Sequence, residues 1–307
     1  MLVNIPYGKT SIPIVIPDKN FLDTLLPKDL PGYKNPDKAV KEALRNPINN
    51  EPLSKIVDKN DEVAIIVDDV TRPLPTHFLL PYLIREIKSS GIRNDRITII
   101  IGTGIHRGIT NQEARMLLGS EIVEKFRWIN HDCDAKDLVY VGRTSFGNEV
   151  YINRIYYEAD VKIIVSDITF HYYAGYGGGA KSIIPGIAGR TTIEFNHSMM
   201  FHPKAKSGIT KGNPVFEDIW EGASLVGCDF ALSVVLNSKK EIVSIFAGDL
   251  KAVFYEGKKI VDDMYRIPLK EKADIVIAGA GGFPHDINLY QASVSYTHLT
   301  LPTTERV

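Results

Sequence analysis

The sequence predicts an α/β protein of two domains, with parallel or mixed sheets flanked by helices. Two observations carry this. Three short β-branched runs, Val63–Val67, Ile97–Ile101 and Val161–Val165, alternate with stretches of helical periodicity. Each run also ends directly in a polar or glycine-rich loop, where open α/β sheets bind their ligands. A chain of 307 residues, 44% hydrophobic and 24% charged, has ample core for either one large domain or two.

The segment through Pro17 reads as short strands turning at Gly8. A helix is expected over Asp37–Arg45, with Pro36 in its first turn. After the 63–67 strand, a helix over His77–Ser89 stops before Gly91. After the 97–101 strand, Thr110 and Glu113 have the spacing of a capping box, opening a helix to Phe126. A second such box, Thr191 to Glu194, opens a helix carrying His197. Asp249–Tyr265 reads as a helix and Asp274–Ala278 as a buried strand.

Composition excludes several classes. A net charge of −1 leaves no basic excess for nucleic acid or an anionic membrane surface. No apolar run approaches the ~20 residues that span a bilayer, and the N-terminus lacks signal-peptide organisation, so the expected compartment is the cytoplasm. Two cysteines make neither a disulfide framework nor a cysteine-based zinc site.

The chemistry-bearing residues lie in three strand-end loops. The first is Asp68-Asp69-Val70-Thr71-Arg72-Pro73. Here Asp69 and Arg72 either close a turn as an ion pair, or Arg72 offers its planar fork to a substrate carboxylate. The second, Gly102 to Gly108, holds His106. Its glycines miss the dinucleotide spacing by one residue, which weakens an NAD-linked oxidoreductase reading. The third runs from His171 to Lys181. Gly175, Gly177, Gly178 and Gly179 before Lys181 look like an altered phosphate loop, but Ala180 replaces a required glycine and Ile183-Ile184-Pro185 opens no helix. A non-catalytic nucleotide-binding protein is a further alternative, disfavoured because binding alone needs no acid/base pair. His197 and His202 would point about 140° apart on a helix, so they are not a same-face metal pair. His77, His131 and His202 read as surface or packing residues.

Taken together, DDVTRP at 68–73, GTGIHRG at 102–108 and the block from Asp167 to His197 resemble the lactate racemase family, nickel-pincer-nucleotide enzymes that racemise or epimerise 2-hydroxy acids. Pro284 to Gln291 also matches. The resemblance covers most of 1–292, and the 167–197 block is its most specific part. It implies a covalently held pyridinium-3,5-bisthiocarboxylic acid mononucleotide, anchored through Lys181, with His197 as the protein ligand to nickel. Gly175, Gly177, Gly178 and Gly179 would cradle its phosphate. His106 and His171 would be the acid/base pair, while Asp69, Arg72, Tyr290 and Gln291 would hold a lactate-like 2-hydroxy acid. The implied chemistry is hydride removal from the α-carbon while a histidine takes the hydroxyl proton, then hydride return on either face of the planar ketone. Cofactor-maturation proteins are the implied partners.

The chain departs from that pattern after Ala292. A substrate lysine is expected near 294, where Val294 stands, and the ending SVSYTHLTLPTTERV reads as cloning-derived sequence. The expected organisation is a cofactor-binding and catalytic domain over 1–269, the start of a truncated second domain over 270–292, and a non-native tail over 293–307.

Overall fold

The computed structural model describes residues 1–268 and 271–282. They fall into two compact units. One is Lys28–Met264; the other comprises Met1–Pro27 together with the chain from Tyr265 onward.

In the smaller unit, β1 (Leu2–Tyr7) and β2 (Thr10–Val15) form an antiparallel hairpin turning at Gly8. The strand expected over Asp274–Ala278 does not form. Those residues have no strand partner among the described residues, and Ile275 is 81% exposed.

The larger unit is an α/β fold. It runs α1 (Pro36–Arg45), α2 (Leu53–Ile56), β3 (Val63–Asp68), α3 (Thr76–Lys88), β4 (Ile97–Gly102), α4 (Asn111–Leu118), α5 (Ser120–Lys125) and β5 (Arg127–Asn130). A hairpin of β6 (Val139–Arg143) and β7 (Glu149–Ile152) follows, then α6 (Arg154–Glu158), β8 (Val161–Asp167), β9 (Thr169–His171) and β10 (Gly175–Gly177). The unit closes with α7 (Arg190–Ser198), α8 (Pro214–Val226), β11 (Phe230–Leu236), β12 (Ile242–Gly248) and α9 (Leu250–Tyr265).

Six strands make one sheet in the order β12-β11-β8-β3-β4-β5, parallel except for the antiparallel edge strand β12. Both faces are covered, which is why the central strands read as unbroken apolar runs. Ile65, Val67, Ile99, Ile101, Ile163 and Val165 face one core, packed against α1, α3 and α4. Ala64, Ile66, Ile100 and Ile164 face the other, beneath Ile183, Ile184, Ile187, Ile193 and Ile219. The second core matters for the site, because the 179–198 segment is itself the cover of that face.

Two local expectations are corrected. The helix expected from Thr110 to Phe126 is two helices. The Thr110–Glu113 capping box forms, but Gly119 adopts φ +91° and breaks the helix before α5. The second capping box does not form. Gly189 is the N-cap of α7, and the Thr192 hydroxyl instead donates to the Glu149 carbonyl and accepts from the Tyr151 N–H, pinning the helix to β7.

Candidate active site

The carboxyl ends of β3, β4 and β8 lie side by side, so three segments far apart in sequence emerge at one sheet edge. The loop after β4 is fastened to the segment after β10: the Gly104 N–H donates to the Gly186 carbonyl at 2.9 Å. Thr103 Oγ1 donates to the His131 carbonyl at 2.8 Å. His131 is buried, with Nε2 against the Ala188 carbonyl, the packing role expected of it.

Asp69 is buried directly after β3. Its Oδ2 lies 2.7 Å from His106 Nδ1, and its Oδ1 accepts from both the N–H and the hydroxyl of Thr71. Burial raises the Asp69 carboxyl, but the hydrogen bonds from His106 and Thr71 outweigh it and hold the group below the usual carboxylate range. An ionised carboxylate only accepts, so His106 carries its proton on Nδ1 and leaves the Nε2 lone pair free in the neutral ring. The side chain of His106 is 52% exposed. The ion-pair alternative for Asp69 and Arg72 is not what forms. Arg72 closes the turn through its backbone N–H to the Asp69 carbonyl at 3.2 Å, and its side chain makes no ion pair among the described residues.

His171 ends β9, and its environment is opposite in kind. Its Nδ1 accepts the Ala174 N–H at 3.2 Å, so the neutral ring carries its proton on Nε2. Tyr172 stacks on the ring at 5.1 Å and Tyr173 meets it edge-on at 4.6 Å. Desolvation, then the charges of Lys181, Arg72 and His197, push it well below the ordinary histidine value.

Lys181 sits on a short 3-10 turn, Gly179–Ser182, with Nζ 6.0 Å from the centre of the Tyr173 ring. Burial and the Arg72 charge bring its amine down to about 7, against a smaller opposite pull from Asp68. His197 lies on α7, in a T-shaped contact with Tyr173 at 5.3 Å. Its Nδ1 is buried without a hydrogen-bond partner among the described residues, and desolvation with the Lys181 charge lowers the ring to about 4.

The glycines are required first by packing. A Cβ on Gly178 would lie 2.2 Å from the Asp167 carbonyl oxygen, at a φ of +76°, and one on Gly175 would lie 2.2 Å from that of Ile209. Gly177 pairs with Thr169 in the β9–β10 ladder, and the Gly179 N–H is taken by Ser166 Oγ at 3.1 Å. Gly178 alone of the four is half-buried rather than buried.

Sequence reading missed Asp68 and Asp167 as a pair. They end the adjacent strands β3 and β8, and burial together with mutual repulsion pushes Asp68 up to about 7. Their signal is cross-strand, visible only once β3 and β8 are known to be neighbours. Tyr290 and Gln291 lie outside the described residues.

Residues 7–208 match the lactate racemase N-terminal domain. Two curated lactate racemases, from Thermoanaerobacterium thermosaccharolyticum and Lactiplantibacillus plantarum, are each 34% identical over 296 residues, covering 94% of this chain and 69% of the relative. The solved lactate racemase apoprotein from T. thermosaccharolyticum superposes with a TM-score of 0.84 at 32% identity, covering 95% of this chain and 69% of that one. A Thermotoga maritima protein, at 22% identity and a TM-score of 0.60 over 78% of this chain and 59% of its own, shares the fold. Among the described residues, no helix is long and apolar enough to cross a membrane.

Proposed function

The chain belongs to the lactate racemase family of isomerases, and on that premise we propose that it racemises or epimerises a lactate-like 2-hydroxy acid at the strand-end site. The observation that carries this reading is the opposed state of its two histidines. His106 presents a lone pair on Nε2, backed by the Asp69 carboxylate, while His171 presents an N–H on Nε2. A reaction that interconverts mirror images needs a proton acceptor and a proton donor held ready at once.

The residues present fit the nickel-pincer nucleotide that the family implies. His197 has a buried Nδ1 with no hydrogen-bond partner among the described residues, on a ring that is neutral above about pH 4, the state a metal ligand requires. Lys181 has an amine that is half deprotonated near neutral pH, the state an anchoring nucleophile requires. His197 would hold the metal, Lys181 the nucleotide's arm, and Gly178 would adjoin its phosphate. When bound, the group supplies a hydride acceptor for the substrate α-carbon.

The chain's own residues do the rest. Arg72, exposed and without an ion pair among the described residues, receives the substrate carboxylate. His106 Nε2 takes the hydroxyl proton, and the resulting imidazolium is stabilised by Asp69 across 2.7 Å. His171 is the second proton station: once protonated it is a strong acid, because burial and the charges of Lys181 and Arg72 disfavour its cation, so it gives a proton to the oxygen on the opposite face and ends neutral. In the reverse direction the two exchange roles.

The test uses protein matured in a competent host. His106→Asn and His171→Asn are expected to retain the bound nucleotide and lose racemisation in both directions, while Lys181→Ala loses the covalent adduct by intact mass. Full racemisation in either histidine variant would return the acid/base assignment to other residues.

A further inference from the structure

Val67 of β3 is opposite Val165 of β8 in a parallel pair, so both strands run out at the same edge. Asp68 ends one and Asp167 the other, so two carboxyls stand at the ends of neighbouring strands and interact electrostatically. The turn bearing Lys181 is docked on these two strand ends. Ser182 Oγ donates to Asp68 Oδ1 at 3.4 Å, the Gly179 N–H donates to Ser166 Oγ at 3.1 Å, and Gly178 closes on the Asp167 carbonyl. The charged groups facing this cluster are Arg72 and Asp69 from the β3 loop, with His171 and His197 beyond Lys181.

We propose that Asp68 and Asp167 share one proton beside Lys181 and form a positioning pair that decides whether the Lys181 amine is neutral and nucleophilic. Two carboxyls in one desolvated place cannot both ionise near neutral pH, so the pair retains a proton there. Burial pushes up both carboxyls, with mutual repulsion adding to Asp68 and the Arg72 charge opposing it. While Asp68 holds the proton, it offers Lys181 no negative charge. Burial and Arg72 then act on the amine without the opposing charge of Asp68 and favour its neutral form. If Asp68 ionises, its charge draws a proton onto Lys181. Asp167 acts one step removed, by keeping Asp68 protonated. The neutral amine is the form that acylation requires, so the pair prepares the anchor without touching substrate.

This deepens the reading of Lys181 as the anchoring residue, and its test needs neither nucleotide nor turnover, so either can fail without the other. The 307-residue chain, produced without maturation proteins, is labelled with trace acetic anhydride across a pH series, and Lys181 acetylation is read by peptide mass spectrometry. The unsubstituted chain is expected to reach half-maximal labelling near pH 7. Asp68→Asn removes the charge that can hold a proton on the amine, so the midpoint should fall by about one pH unit. Asp167→Asn lets Asp68 ionise earlier, so the midpoint should rise by about one unit. A merely structural role moves both isosteric variants the same way or not at all, and either result overturns the proposal. Infrared spectra of the unsubstituted chain with 13C-labelled aspartate carboxyls provide a check independent of substitution. A protonated carboxyl stretch should persist to just below neutral pH, and its absence would equally overturn the proposal.

Discussion

The loop after β4 and the block from Asp167 to His197 each deliver one histidine to the same sheet edge, under contrary electrostatics. His106 is about half exposed and leans on a carboxylate that is ionised. His171 is walled by tyrosines and desolvated, and the charges of Lys181 and Arg72 oppose a further positive charge on it. One ring has a carboxylate partner and the other is surrounded by groups that disfavour its cation. Proton position at this site is therefore set by neighbours contributed from other strands, not by the histidines themselves.

The sharpest way to break the comparison is to remove either ring. His106→Asn or His171→Asn should each lower the racemisation rate of matured protein by about 10²–10⁴-fold, measured by chiral chromatography from each enantiomer. Asp69→Asn separates the two sides. Asparagine can donate to His106 Nδ1, so the ring loses its enforced tautomer, and a fall of roughly 10²-fold is expected with the nucleotide content unchanged. An equal fall with loss of the nucleotide would assign Asp69 a cofactor role instead.

The two loops also differ in how tightly they are built. Gly178→Ala should cost about 3 kcal/mol in urea unfolding, because a left-handed φ is combined with a methyl 2.2 Å from the Asp167 carbonyl. Gly104→Ala, at φ +54° with only ordinary contacts to Pro185, should cost about 1 kcal/mol. Lys181 tests the buried side alone. Its folded value of about 7 lies below the ordinary 10.5, so between these values the unfolded chain binds more protons and stability rises with pH. Lys181→Met should flatten that rise and stabilise the protein by about 1–3 kcal/mol at pH 7. An unchanged slope would mean the amine is solvated.

Much of this was legible in the chain. The runs 63–67, 97–101 and 161–165 became the three central strands because strands covered on both faces need unbroken apolar sequence. The β11 and β12 strands and α8 were not picked out, although Phe230–Leu236 is apolar and Asn213-Pro214 carries a cap signal, with Asn213 accepting from Val215 and Phe216. His106, His171 and Lys181 stand out because their loops follow apolar runs directly, while the roles of Lys181 and His197 come from the resemblance to the family. The partners that set their protonation were harder to see. Asp69 pairs with a histidine 37 residues away rather than with nearby Arg72. Asp68 and Asp167 meet only because β8 lies beside β3, a fact of sheet order that no local spacing encodes.

The most direct test of the account is to follow one enantiomer of lactate in D2O with matured protein, by proton NMR and chiral separation. The account predicts the opposite enantiomer with its original α-hydrogen retained, because that hydrogen leaves and returns as hydride while the histidines exchange only the hydroxyl proton with solvent. Racemised lactate carrying deuterium at the α-carbon would mean a histidine removes that hydrogen as a proton, and would contradict it.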